Sequence, residues 1–429
     1  MERELLGDLL KWKDSAKRKP LLLVGARQVG KTWLLKHFAK NYYDNSVYIV
    51  FEKNPTMKTL FSLDYDVGRI IDGLEIYTGR KIEPAKTLLI FDEIQEVPDA
   101  LAALKYFAEN APEYHIVCAG SLLGVSMHEG YSFPVGKVET LRLYPLSFSE
   151  FLTATGNQAL AKLIATRDFA MIQAFKNRYE DMLRKYFYVG GMPEVVDAYI
   201  ESGDYTKVRV LQNEIIGNYE RDFSKHAPKG ILRSITMLWE TIASQLAKEN
   251  KKFIYSAIKS GARASDYEEA LLWLQNYGVV EIVHRVTQAN TPLKAYADLR
   301  AFKLFVLDVG LLSAMSNLRA ETLLEGDAMF VEFKGSLTEQ YVLQQLVANG
   351  IAAYYWTNKS GTSEVDFLIY SSRGALPIEV KAGVNLKAKS LFVYRDKFHP
   401  VNMLRTSMAD YKDVDGLVDM PLYAISALE

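Results

Sequence analysis

Residues 19–36 read KPLLLVGARQVGKTWLLK, and within them Gly25-Ala26-Arg27-Gln28-Val29-Gly30-Lys31-Thr32 fills every fixed position of the pattern GxxxxGK[ST]. The apolar run Leu21 to Val24 leads into this loop and a helix opens near Lys31, so the stretch predicts strand, tight loop and helix in immediate succession. The two glycines let the loop curl its backbone N–H groups inward, and the helix points its positive end at the same spot. Such a loop is a nest for phosphate oxygens. Lys31 then reaches the β and γ phosphates of a nucleoside triphosphate as a point charge, and the Thr32 hydroxyl coordinates a Mg²⁺ bridging them. Gly25, Gly30, Lys31 and Thr32 are the expected contacts to ATP and its magnesium.

A second apolar run, Thr87-Leu88-Leu89-Ile90-Phe91, ends abruptly in Asp92-Glu93. It reads as a buried parallel strand carrying two carboxylates at its carboxyl end, the Walker B arrangement. In an open α/β sheet that end faces the ligand, so Asp92 is expected beside the Thr32-bound magnesium and Glu93 is expected to polarise the attacking water. A third strand, Tyr114 to Ala119, ends at Gly120-Ser121. Ser121 is a candidate γ-phosphate sensor there, with helix capping as the alternative use of its hydroxyl.

Composition bounds the rest. A chain of 429 residues, 49% hydrophobic and 12% aromatic, has material for about three globular domains. Lys+Arg 51 against Asp+Glu 52 leaves a formal charge of −1, so no global field draws the chain to nucleic acid or membrane, and any such patch is local. The longest apolar stretches break well before the roughly 18 residues of a membrane span. Met1-Glu2-Arg3-Glu4 opens no signal peptide, so a cytoplasmic protein without a membrane partner is expected. The lone cysteine, Cys118, excludes an internal disulfide and argues against a thiolate metal site.

Taken together, GARQVGKT, LIFDEIQ, AGSLLG, PVGKVETLRLYPLSFSEFL and Val189-Gly190-Gly191-Met192-Pro193-Glu194 resemble a prokaryotic AAA-type ATPase family, motif by motif and in order along essentially the whole chain. Its members join an ATPase to a characteristic C-terminal region of uncertain function. The resemblance implies a parallel sheet with Asp92 and Ser121 beside the phosphate loop, and a basic residue after Gly136 near the nucleotide or a neighbouring subunit. Relatives commonly carry arginine there, whereas this chain has Lys137, which lacks the planar bidentate contact of an arginine finger. Arg142 and Arg184 are the other candidates, and the finger stays unassigned.

Helical spacing over 169–188 and 195–219 predicts a lid-like helical region closed by Glu220-Arg221-Asp222. From Lys229 the pattern predicts a long helix through Lys248, a short strand at 253–255, a helix after Ser256, a helix over 266–276, and strands at 279–286 and 302–307. That order suits a winged helix. Lys259, Arg263 and Arg285 offer modest positive charge for a DNA groove, countered by Glu268, Glu269 and Glu281, and a winged helix that packs on protein is the favoured alternative.

Glu364-Val365-Asp366-Phe367-Leu368-Ile369-Tyr370 and Leu376-Pro377-Ile378-Glu379-Val380-Lys381 flank a turn and read as a β-hairpin. If the turn centres on Ser372 and Arg373, Asp366 falls opposite Glu379 and Lys381 shares the face of Glu379. Facing carboxylates repel, so a hard cation such as Mg²⁺ or Mn²⁺ between them gives the arrangement a reason. Glu339, on the inner face of a helix over 335–347, supplies a further candidate ligand. This layout resembles the restriction-endonuclease-like phosphodiesterase core, whose roles map onto Glu339, Asp366 and Glu379 as metal ligands and Lys381 as the catalytic lysine. The alternative is an inherited fold with a solvated charged edge that cuts nothing. Lys387, Lys389, Arg395 and Lys397 follow as residues able to track phosphates or to be ordinary surface.

The expected architecture is α/β: a P-loop AAA-type ATPase core with a parallel sheet over 1–155, a helical lid over 156–227, a winged-helix-like module over 228–315 and a restriction-endonuclease-like α/β domain over 316–429. The expected activity is Mg²⁺-dependent ATP hydrolysis coupled to DNA binding or processing, with DNA and a second copy of the chain as candidate partners. The competing reading is a nucleotide-driven switch or scaffold that presents a protein-interaction surface, and an enzyme acting on a small phosphorylated metabolite ranks last.

Overall fold

The computed structural model describes the chain except residues 121–122, 127–132, 248–251, 325–330, 359, 384–387 and 429. The chain divides into two compact units. One comprises residues 2–144 with 276–278, and the other residues 145–275 and 279–429 together with Met1.

In the first unit, β1 (Leu21–Val24), β2 (Asn45–Val50), β3 (Thr87–Asp92), β4 (His115–Ala119) and β5 (Glu139–Arg142) form a five-stranded sheet in the order β2-β3-β4-β1-β5. Every pairing is parallel. All residues of β1, β3 and β4 are buried, which is why these strands read as unbroken apolar runs and not as alternating ones. Helices cover the sheet, and their starts are specified locally: Asn54 caps Pro55–Leu63 by accepting from Met57 N–H, and Asp66 caps Val67–Thr78 by accepting from Arg69 N–H. Met57, Phe61, Ile70, Leu74, Leu104 and Phe107 pack with Leu89 and Phe91 in one core. Each such buried side chain contributes roughly 2 kcal/mol. Cys118 lies fully buried in β4, where burial pushes its thiol well above the usual range.

The second unit opens with helices Phe148–Ala154, Gln158–Thr166, Phe169–Ala174, Lys176–Val189, Pro193–Ser202 and Tyr205–His226. Ser147 and Glu150 form a reciprocal capping box at the first of them. Glu220, Arg221 and Asp222 lie within the last helix, not at its end. The glycine pair of the Val189–Glu194 motif has a steric reason. A Cβ on Gly190, whose φ is +75°, would lie 2.2 Å from Asp308 Oδ1, and one on Gly191 would lie 2.2 Å from the Leu146 carbonyl oxygen. Fully buried Asp308 accepts from Gly191 N–H at 2.6 Å, Leu311 N–H at 3.0 Å and Gln344 Nε2 at 3.0 Å.

Strands β6 (Val280–Val286), β7 (Ala297–Val306), β8 (Ala353–Thr357), β9 (Glu364–Ser371), β10 (Gly374–Val380), β11 (Met403–Ser407), β12 (Lys412–Val414) and β13 (Leu417–Pro421) form one mixed eight-stranded sheet, ordered β12-β13-β11-β10-β9-β8-β6-β7. The β6–β7 hairpin follows helices Leu232–Leu246 and Glu268–Tyr277, the order expected of a winged helix. It does not stand apart, because Arg285 and Val286 pair with Tyr355 and Trp356 of β8. Residues 253–255 form no strand: Phe253 N–H makes a single backbone bond to the Phe302 carbonyl, and Tyr255–Ala257 is a 3₁₀ turn. The helix expected after Ser256 is replaced by that turn and another at Ala264–Asp266, with Gly261 at φ +77° breaking the path between them. Lys248, the expected end of the long helix, lies outside the described residues, and the helix ends at Leu246. Among the described residues no helix is long and apolar enough to cross a membrane.

Candidate functional site

The phosphate loop runs from the end of β1 into helix Lys31–Tyr42, with Gly25 at φ +148° and Gly30, the helix N-cap, at φ +95°. A Cβ on Gly25 would lie 2.3 Å from the Leu143 carbonyl oxygen, so the loop's first position is closed to any other residue. Lys31 is buried, and its Nζ donates to the carbonyls of Gly25 at 2.8 Å and Ala26 at 2.7 Å. Those two bonds hold the ammonium over the loop. Burial lowers it to about 8, against the opposing pull of Glu93 and Asp92.

Asp92 ends β3 beside this loop. Its Oδ2 accepts from Thr32 Oγ1 at 3.0 Å and from the Tyr48 hydroxyl of β2 at 2.5 Å. Burial and the bond to Asp92 push the Tyr48 phenol above its ordinary range. The hydroxyl of Thr32 and the carboxylate of Asp92 are hard oxygen donors at one strand end, a set that fits Mg²⁺. Glu93 follows in the left-handed region at φ +54°, which turns the chain sharply, and its Oε2 accepts from Gln95 Nε2 at 2.6 Å. A Cβ on Gly120 would lie 2.0 Å from Gln95 Oε1, so the third strand's terminal glycine makes room for that glutamine. Ser121 lies outside the described residues.

Three contributors were not read from the sequence. Tyr48 sits on β2, a strand with no motif. Gln95 lies just beyond the carboxylate pair. Arg3 is buried, donating Nη1 to the Val29 carbonyl of the phosphate loop at 2.8 Å and Nη2 to the Tyr144 carbonyl at 2.6 Å. Its only sequence signal is an arginine in a segment otherwise typical of a solvated terminus. Of the basic candidates, Lys137 pairs with Glu109 at 2.8 Å and Arg184 with Glu180 at 3.5 Å. The Arg142 guanidinium lies 6.0 Å from the centre of the Tyr144 ring.

In the second unit the β9–β10 ladder runs from Ser371↔Gly374 to Phe367↔Ile378, so the turn centres on Ser372 and Arg373 and Asp366 and Glu379 are the next facing positions. Glu339 is buried on helix Val331–Ala348. The structure adds a residue the hairpin pattern did not contain. Lys303 of β7, with no exposed surface, places its Nζ 2.6 Å from Glu364, 3.5 Å from Glu339 and 4.0 Å from Asp366. Burial alone would lower that ammonium, but the carboxylates of Glu339, Glu364 and Asp366 outweigh it and hold the group above its usual value. Lys381 Nζ is 2.6 Å from Glu379 Oε1, and Asp366 Oδ2 accepts from Val380 N–H at 2.8 Å. Burial raises the Glu379 carboxyl in spite of Lys381, and its buried Oε2 makes no hydrogen bond among the described residues. Among the described residues no group of three or more His, Cys, Asp and Glu side chains is arranged to hold a metal ion. The ammonium groups of Lys303 and Lys381 thus stand among Glu339, Asp366 and Glu379.

Part of the positive charge expected for DNA is engaged elsewhere, while Lys389 is exposed. Arg285 pairs with Asp298 at 2.6 Å, Arg395 pairs with Asp396 at 3.0 Å, and Lys397 lies 5.4 Å from the centre of the Trp356 ring. Lys259 and Arg263 are exposed, and Lys387 lies outside the described residues.

Residues 17–152 match a family model described as AAA domain. Residues 180–322 and 334–425 match two models described as domains of unknown function, DUF8612 and DUF4143. No curated protein matches the chain. Among solved structures, the Walker-type ATPase of Pyrococcus abyssi is similar at 16% identity over 73% of this chain and 95% of that one, with a TM-score of 0.46. The Orc1 protein of Aeropyrum pernix, solved in complex with DNA, is similar at 15% identity over 74% and 91%, with a TM-score of 0.27. The RuvB Holliday junction branch migration motor of Thermotoga maritima is similar at 17% identity over 69% and 94%, with a TM-score of 0.25. The AAA match covers the phosphate loop and the β3 carboxylates alike, and residues 17–152 are an AAA domain.

Proposed function

We propose that the chain binds ATP at the phosphate loop and hydrolyses it. The observation that carries this reading is the convergence of Lys31, Thr32 and Asp92 at the ends of β1 and β3, with Thr32 Oγ1 3.0 Å from Asp92 Oδ2. Lys31 neutralises the terminal phosphates, and the loop amides and helix N-terminus orient them. Thr32 and Asp92 would hold Mg²⁺, which supplies charge neutralisation at the β and γ oxygens when bound. Glu93 accepts a proton from the attacking water, with Gln95 fixing its carboxylate at 2.6 Å, and Ser121 is the proposed γ-phosphate sensor. Steady-state phosphate release tests the assignment: Glu93→Gln is expected to lower kcat by about 10²-fold or more while nucleotide still binds, the loss typical of a general base. Unchanged turnover in Glu93→Gln overturns the role of Glu93.

Two outputs of that turnover are proposed. Coupling to DNA draws support from the helix–hairpin order of 232–306 and from a hairpin register in which Asp366 and Glu379 follow the last pair, Phe367↔Ile378. A nucleotide-driven switch with a non-cutting nuclease-like region is favoured by one observation, the buried Lys303 among the carboxylates. Incubating wild type, Lys31→Ala and Asp366→Ala with branched, duplex and single-stranded DNA, with Mg²⁺ or Mn²⁺ and with or without ATP, separates them. Cleavage lost in Asp366→Ala supports DNA processing, and its absence throughout supports the switch.

A further inference from the structure

Lys303 lies in the apolar run Ala301-Phe302-Lys303-Leu304-Phe305-Val306 of β7, where every residue is buried. An ammonium group is retained in such a place only when carboxylates answer it closely, because its lost hydration otherwise drives it neutral. Here one helix and one strand answer it: Glu339 from Val331–Ala348, and Glu364 and Asp366 from β9. The Tyr355 ring, 5.1 Å from Nζ at its centre, adds an aromatic wall. A divalent ion bound by Glu339 and Asp366 would lie within a few ångströms of this ammonium, and in a buried setting the two positive centres repel strongly. Lys381, paired to Glu379 at 2.6 Å, repeats the arrangement on the neighbouring strand.

We propose that Lys303 is a resident cation that occupies the ion position of the Glu339–Glu364–Asp366 cluster, so that the wild-type chain takes no divalent metal there and the loss of Lys303 creates a Mg²⁺- or Mn²⁺-binding site. The cluster is thereby a permanent ionic tie between β7, β9 and helix Val331–Ala348. This inference does not rest on ATP hydrolysis at Lys31, and ATP binding measured in the same samples keeps the two separable.

The test is Mn²⁺ binding to the nucleotide-free full chain, followed by electron paramagnetic resonance and calorimetry, in wild type, Asp366→Asn, Lys303→Met and Lys303→Met with Asp366→Asn. Lys303→Met is expected to gain one Mn²⁺ per chain over wild type, with affinity falling at least tenfold when Asp366→Asn is added. Wild-type Mn²⁺ binding that disappears in Asp366→Asn overturns the proposal, because metal and ammonium would then share the cluster. A folded Lys303→Met chain that gains no Mn²⁺ also overturns it. Circular dichroism reports folding, and should Lys303→Met unfold, Lys303→Met with Glu364→Gln, which removes a carboxylate along with the ammonium, is read by the same criteria.

Discussion

Two parts of this chain place lysine beside carboxylates, and they use it in opposite ways. At the end of β1, Lys31 is held by neutral carbonyls of Gly25 and Ala26, while Asp92 is held by the hydroxyls of Thr32 and Tyr48. Cation and anion are each steadied by uncharged partners, which leaves their charges for the phosphate and Mg²⁺ proposed to bind there. In the eight-stranded sheet, Lys303 lies within 4.0 Å of three carboxylates and Lys381 bonds the fourth, so the charge is spent inside the protein. The same residue types make a ligand site or a structural tie according to who their nearest neighbours are. In this chain the two surroundings differ in one respect: neutral groups hold Lys31, and carboxylates hold Lys303.

The sharpest way to break this contrast is to remove each lysine. Lys31→Ala is expected to lower ATPase kcat/KM by at least about 10³-fold, since a preorganised charge at the transferring phosphoryl group is lost. Lys303→Met should leave that rate within about twofold, and an equal loss in both variants would end the comparison. Stability should run the other way. Breaking the buried cluster by Lys303→Met costs about 3–5 kcal/mol in urea unfolding, whereas Lys381→Met, whose side chain is 32% exposed, costs roughly 1 kcal/mol. A smaller effect sharpens the picture of the loop itself. Arg3→Ala should raise KM for ATP by about tenfold, as expected when one charged hydrogen bond positioning a site is lost, and Arg3→Lys should restore part of it with kcat little changed.

The smallest expected effect is one of pH. His115, buried at the start of β4 and bonded to the Tyr43 hydroxyl at 2.7 Å, is lowered to about 4 by burial and by the Arg18 and Lys13 charges. The unfolded imidazole takes its proton near pH 6.5 and the folded one only near 4, so this group's stabilising effect is complete above 6.5 and is lost as pH falls through that window. Denaturation of wild type against His115→Gln at pH 7 and pH 5 should show a difference of about 1–2 kcal/mol in pH sensitivity.

What was legible from sequence follows the length scale of the interaction. The phosphate loop and the β3 carboxylates were readable because each is a contiguous pattern whose geometry is local. The hairpin register was readable because a two-residue turn fixes all later pairs. Arg3, Tyr48 and Gln95 were not, since their roles depend on where distant backbone returns. Lys303 left a faint trace: a single charge in the run AFKLFVL, which a buried strand tolerates only with a partner. The Gly190-Gly191 pair is legible only as part of a resemblance, and its reasons, room for Asp308 at Gly190 and for the Leu146 carbonyl at Gly191, needed the fold.

The pairing of β6 with β8 also governs how this chain can be cut. A fragment beginning near residue 316 would carry β8 paired to β9 but without β6, leaving unpaired backbone groups at Tyr355 and Trp356, the kind of edge that recruits other chains. A fragment ending there would keep β6 and β7 but lose the strands that continue their sheet. Expression of the second unit should therefore start near Pro145, and limited proteolysis at residues 316–319, between helices Val309–Met315 and Ala320–Leu324, should yield two pieces that stay associated until denatured.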